Sequence, residues 1–176
     1  AFFTTLNPKV GWQIDEVTDI SLSAAVTDRD YKRNVDKGRD GTEYRGGVTV
    51  ARLYLDKKLG VQGGLAYSDF DARDERFSYK GPEVFVGVVY EAWERGSVFA
   101  RLGYRRFEYG APEPLFPTAR DDDDWRLSAG FRHELASTLL AGWVVSGEWV
   151  WSDNSSNNAL FDYDRHQVSL GLQRSF

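Results

Sequence analysis

The chain has 176 residues, enough for one domain or part of one, and its net charge of −5 excludes the basic footprint that a nucleic-acid partner requires. It contains no cysteine, which excludes disulfide scaffolds, thiolate nucleophiles and cysteine-ligated metals, and it has no run of about eighteen apolar residues that could cross a bilayer as a helix. Aromatic residues at 15% beside charged residues at 28% are an odd pairing for a soluble α/β enzyme, and direct attention to segments with one apolar and one polar face.

Strict alternation of apolar and polar residues predicts strands at 9–14, 20–27, 44–55, 61–68, 84–93, 98–104, 125–134, 140–151 and 166–176, and no segment carries a helical period. All five prolines fall before or between these segments, where a missing N–H costs no ladder bond. The connections alternate. "DEVTD", "DKKLG", "WERGS" and "ELAST" are tight, whereas "DRDYKRNVDKGRDGTE", "DFDARDERFSYKGPE", "EYGAPEPLFPTARDDDD" and "SDNSSNNALFDYD" read as long, charged loops. Short turns at one end and long loops at the other are the pattern of an antiparallel up-and-down transmembrane β-barrel. The expectation is therefore an all-β barrel domain over residues 1–176, with about 8 to 10 strands in this chain.

The two faces decide between lipid and water. Each strand's apolar band is about four alternate residues long, close to what a tilted strand needs to cross a bilayer. Trp12, Tyr67, Tyr90, Tyr104, Phe131, Trp143 and Trp149 belong to the apolar set and are expected to face lipid, several of them at band ends where an interfacial girdle forms. The opposite face holds Gly, Ser and charges. Arg52, Glu91, Arg101, Arg105, Arg126, Arg132 and Glu148 are expected to line the lumen, with opposite signs meeting across neighbouring strands. A soluble ligand-binding barrel, with the apolar set as its core, is the competing reading.

Other constellations carry less chemistry. The run "RDDDDWR" reads either as a solvated acidic loop or as a cluster that bridges lipopolysaccharide through divalent ions. His133 and His166 are not spaced as metal ligands, and no nucleophile elbow is present, so neither a cofactor nor an enzymatic reaction is expected.

The ending "SLGLQRSF" resembles the C-terminal β-signal by which the outer-membrane assembly machinery recognises barrels, with Ser169, Gly171 and Phe176 at the matching positions. Strand parity adds a further expectation. With both barrel ends in the periplasm, segment 9–14 runs downward from the outside, so at least one earlier strand is expected outside this chain, and the absence of Met fits a trimmed N-terminus. The stretch from "RLYLDKKLGVQGGLAYSD" onward, with "PLFPTARDDDDWRLSAGFRHEL" and "SDNSSNNALFDYDRHQVSLGLQRSF", resembles the C-terminal barrel of the surface lipoprotein assembly modifier (Slam) family. That resemblance implies an outer-membrane translocon with long loops extracellular, helping secreted proteins or lipoproteins to the cell surface. Its partners would be lipid, lipopolysaccharide, the barrel assembly machinery and the cargo. A passive pore or membrane anchor is the alternative.

Overall fold

The structure is a computed structural model that describes residues 1–135 and 142–174. Its strands are β1 (Phe2–Leu6), β2 (Lys9–Asp15), β3 (Thr18–Asp30), β4 (Gly41–Tyr54), β5 (Leu59–Ala72), β6 (Tyr79–Trp93), β7 (Gly96–Pro112), β8 (Ala119–Glu134), β9 (Trp143–Ser156) and β10 (Tyr163–Arg174). They form one antiparallel up-and-down sheet in which each strand from β3 onward pairs with the next. The all-β transmembrane barrel architecture read from the alternation is the one observed.

β1 and β2 lie one after the other along β3, separated by Asn7 and Pro8; β1 precedes every segment that the alternation marked. Because the two share one position in the sheet, β10 runs in the same direction as β1 and β2. Among the described residues no ladder joins them.

The strands reach well past the apolar bands. Most of the residues read as long charged loops belong to β3–β10, which rise as paired hairpins beyond the band and leave connections of ten residues (31–40) and then six (73–78, 113–118 and 157–162). Above the membrane level both faces meet water, so the hydropathy alternation fades while backbone pairing continues. Two prolines also sit inside strands: Pro82 lies within β6 and Pro112 ends β7. At Pro82 the β6–β7 ladder skips from Lys80↔Glu108 to Glu83↔Arg105 without changing register.

At the other end the turns are tight. Glu16 and Val17 connect β2 to β3, with Asp15 accepting from the backbone N–H of Val17 at 2.9 Å. Glu94 and Arg95 connect β6 to β7, and Arg95 takes a left-handed conformation at φ 61°. The turn read as "ELAST" lies mostly outside the described residues.

The packing settles which face needs cover. Among the described residues only Phe70, Ala72 and Val150 are buried apolar side chains, while Leu65, Val86, Leu102 and Leu170 lie exposed on the opposite face. A sheet whose apolar side chains are left uncovered by its own fold, with polar groups on the other side, has the inside-out distribution of a membrane barrel. No helix is long and apolar enough to cross a membrane among the described residues. The predicted aromatics keep to the outer face: Trp12 stands opposite Ile20, Tyr67 opposite Gly46, and Tyr104 opposite Trp125, with the last two rings 4.7 Å apart. Tyr90, Phe131, Trp143 and Trp149 share the parity of Val88, Leu127, Val145 and Val145 on their strands and lie on the same side.

Candidate functional site: the inner face of the sheet

The inner face is built in rows, because antiparallel register places every second residue of each strand beside its counterpart on the next. In the row nearest the hairpins, Arg29 on β3 ion-pairs with Glu43 on β4, donates to the Tyr79 hydroxyl at 3.1 Å, and lies 4.2 Å from the centre of the Phe70 ring. Tyr79 donates in turn to Glu43 at 2.7 Å and packs against Phe107 with ring centres 4.5 Å apart. Further round, Arg120 sits 3.6 Å from the Tyr109 ring centre and 3.8 Å from that of Phe161, with its Nε 3.1 Å from a carboxylate oxygen of Asp122. Aromatic faces supply the negative potential that holds these guanidinium groups in a partly dry site. This row stiffens the hairpin end.

One level down, Arg45 grips Glu83 through two hydrogen bonds, both 3.0 Å, and Ser68 donates to the same carboxylate at 2.7 Å. Arg105 continues the row, 3.2 Å from Asp124, which Tyr163 approaches at 3.4 Å. Each of these pairs joins strands of the same wall: β4 to β6 and β7 to β8. Below them Phe85, Arg101, Gly103, Arg126, Ser152 and Arg165 share a cavity of about 200 Å³ with the row above. Arg101 stacks on the Phe85 ring at 3.6 Å, and that ring in turn lies across Gly64, where a Cβ would come within 2.5 Å of it.

Five of the seven expected lumen charges, Arg101, Arg105, Arg126, Arg132 and Glu148, have inner-face parity in the register, and Glu91 falls in the irregularity between Tyr90 and Trp93 where the β6–β7 register shifts. Arg52 does not. It pairs with Thr18 and Val61 on the outer face, at the turn end of β4, 4.0 Å from Asp15 and 5.6 Å from the Tyr54 ring. A long arginine stem at the edge of an apolar band can lie along it while its head reaches polar partners, so this parity is tolerated there. The expected pairings across strands also differ, since Arg101 stands opposite Gly87 rather than Glu91, and the ion pairs form one level higher, with Glu83 and Asp124.

Missed altogether were Arg29, Arg45 and Glu83, while Arg120, Asp122 and Asp124 were read only as parts of the run "RDDDDWR" and not as inner-face partners. Their signal was parity continued beyond the apolar band: Arg45 and Glu83 each neighbour an outer-face residue, Tyr44 and Val84.

The run 121–124 is neither a loop nor a cation cluster. It lies in β8 and divides by parity: Asp121 takes Arg106 at 2.6 Å and Asp123 takes the Tyr104 hydroxyl on the outer face, while Asp122 and Asp124 meet Arg120 and Arg105 on the inner one. His133 accepts from Trp93 Nε1–H at 3.0 Å, and His166 stacks on Trp149 with ring centres 5.7 Å apart. Among the described residues no group of three or more His, Asp or Glu side chains could hold a metal ion. Ser169 and Gly171 lie on β10, paired with Glu148 and Ser146, and Phe176 is outside the described residues.

The same architecture occurs in a solved structure, described as OmpT (in-vitro folded), an outer membrane protein of Vibrio cholerae. The match has a TM-score of 0.67 at 13% identity and covers 98% of this chain and 52% of that one. The chain thus spans about half the length of that protein, and the likeness is one of fold. No curated protein matches the chain. A family model matches residues 18–174, from the start of β3 to the end of β10, and the chain accordingly belongs to the family described as "Protein of unknown function (DUF2860)".

Proposed function

We propose that this chain forms part of the wall of a water-filled outer-membrane pore that passes small hydrophilic solutes, with its hairpins extracellular and its tight turns periplasmic. The observation that carries the reading is the direction of the inner-face ion pairs. Arg45–Glu83 and Arg105–Asp124 run along the wall, between strands at most two apart, so they line the interior without bridging it to another wall. Fixed charges of this kind hydrate a lumen and bias what passes, and no chemical step is required. On the outer side the partners are lipid and lipopolysaccharide, and the ending with Ser169 and Gly171 serves the barrel assembly machinery.

The translocon role implied by the Slam resemblance is the second reading. It is supported by the "NSSNN" and "FDYDR" stretch, which here frames the last hairpin beside the inner row, with Asn154 donating to the Phe161 carbonyl at 2.7 Å.

Liposome swelling separates the two. The intact native protein, reconstituted into vesicles, should admit neutral mono- and disaccharides at rates that fall with solute size. Vesicles that stay closed to all of them, together with loss of a surface-displayed protein from cells lacking the gene, would replace the pore with the export role.

A further inference from the structure

One level of the inner face carries more positive charge than its neighbours balance, and we infer that this level is an oxyanion-binding step, selecting solutes that bear phosphate, sulfate or carboxylate groups; this deepens the pore reading and rests on it. The cavity there is lined by Arg45, Arg101, Arg105, Arg126 and Arg165 against only two carboxylates, Glu83 and Asp124. Those carboxylates are already engaged, by Arg45 and Arg105. No carboxylate lies within 4.0 Å of Arg101, Arg126 or Arg165 among the described residues.

This excess is local, because the chain as a whole is acidic, with a net charge of −5. In the row nearest the hairpins the signs balance: Arg29 meets Glu43, and Arg120 meets Asp122. The other two acidic residues of the run in β8, Asp121 and Asp123, point outward by parity and do not compensate the arginines.

The geometry leaves a berth among the guanidinium groups. Gly103 is flanked along β7 by Arg101 and Arg105 and faces Arg126 on β8 and Phe85 on β6. A Cβ at Gly103 would come no nearer than 3.8 Å to any atom, so backbone packing does not demand glycine there; what its missing side chain provides is space. Arg101 is held by the Phe85 ring rather than by an acid. A ring face neutralises less charge than a carboxylate and leaves the guanidinium edge, with its forked donors, free for an anion. Forked N–H donors match oxyanions in shape as well as charge, and several in one cleft concentrate anions locally.

Single-channel recording of the intact protein in planar bilayers, under a salt gradient, provides the test. The reversal potential should show chloride preferred over potassium, and millimolar inorganic phosphate should reduce the chloride current saturably. The triple variant R101Q/R126Q/R165Q should lose the preference and weaken the phosphate block by about tenfold or more, as expected on losing charge-assisted bonds. Gly103→Asp, whose Cβ would come no nearer than 3.8 Å to a neighbouring atom, places a carboxylate beside the arginines and should do the same, which keeps the test open if the triple variant does not fold. A channel that is cation-selective, or whose selectivity and phosphate block survive both substitutions, would overturn the inference while leaving the pore intact. No conductance and no solute entry from the native protein would overturn both.

Discussion

Adjacent residues on β4 offer a like-for-like test of which face meets lipid. Val50 and Thr49 are both β-branched and similar in volume, yet Val50 lies outward, opposite Ile20 and Gly63, while Thr49 lies inward, opposite Ser21 and Gly64. On the outer face of this strand Tyr44 and Tyr54 mark the two ends of the band. A strand tilted by about 40° advances roughly 2.6 Å along the membrane normal per residue, so the two tyrosines stand about 26 Å apart, close to the roughly 25 Å apolar height of an outer-membrane barrel. Val50 then sits about 10 Å from the Tyr54 level, near mid-depth. Val50→Arg should cost about 2–4 kcal/mol, a shift of roughly 30- to 900-fold in the folding equilibrium, while Thr49→Arg, facing water, should cost less than about 1 kcal/mol. The assay is reversible folding into lipid vesicles followed by tryptophan fluorescence across a urea series. Equal costs at the two positions, or a larger one at Thr49, would refute the assignment of faces.

Other outcomes follow from single contacts. Arg120→Ala removes the cation held between Tyr109 and Phe161 and leaves the buried Asp122 without its cationic partner, so unfolding stability should fall by about 3 kcal/mol, with partial recovery in the double variant that also carries Asp122→Ala. In the 73–78 connection, hydrogen bonds from the Arg76 side chain hold the Asp74 carboxyl below the ordinary carboxylate range. A depressed pKa contributes order that is present above the unfolded value, near 4, and is lost as pH falls through the folded value. The protection factor of the Arg76 amide, taken against its intrinsic exchange rate at each pH, should therefore be highest at neutral pH and fall as the pH drops below about 4, and a loss of protection on raising the pH instead would contradict it. Deleting Phe176 should lower the amount of barrel in outer membranes while leaving refolding of the purified protein in detergent nearly unchanged; loss of both would reduce the ending to a structural strand.

What the sequence disclosed tracks where solvent differs across a strand. From Val84 to Tyr90 and from Val98 to Tyr104 one side meets lipid and the other meets water, so alternation is strong and the strands can be read directly. Beyond that level both sides are wet, and β7 runs on through Arg106, Glu108 and Gly110 to Pro112 with nothing in its hydropathy to show it. The acidic run 121–124 was opaque for the same reason: four like residues have no visible alternation, though pairing sends them to opposite faces. Arg52 failed differently. Charge alone placed it inside, but at the edge of the band a snorkelling arginine obeys parity rather than polarity. The ion pairs of the inner face were hidden because they depend on register between strands, as with Arg45 and Glu83, which are 38 residues apart and not on adjacent strands.

The central claim is that the outer face of this sheet touches lipid and the inner face touches water, and the absence of cysteine makes it directly measurable. Single cysteines placed at each of the β7 positions 98–103 and spin-labelled in lipid vesicles report, by electron paramagnetic resonance, collisions with oxygen, which concentrates in lipid, and with a water-soluble nickel complex, which does not. Val98, Ala100 and Leu102 should be accessible to oxygen and shielded from nickel, and Phe99, Arg101 and Gly103 should show the reverse, in strict alternation. Labels at Val98, Ala100 and Leu102 that are shielded from both reagents would place the apolar face in a protein core and contradict the account.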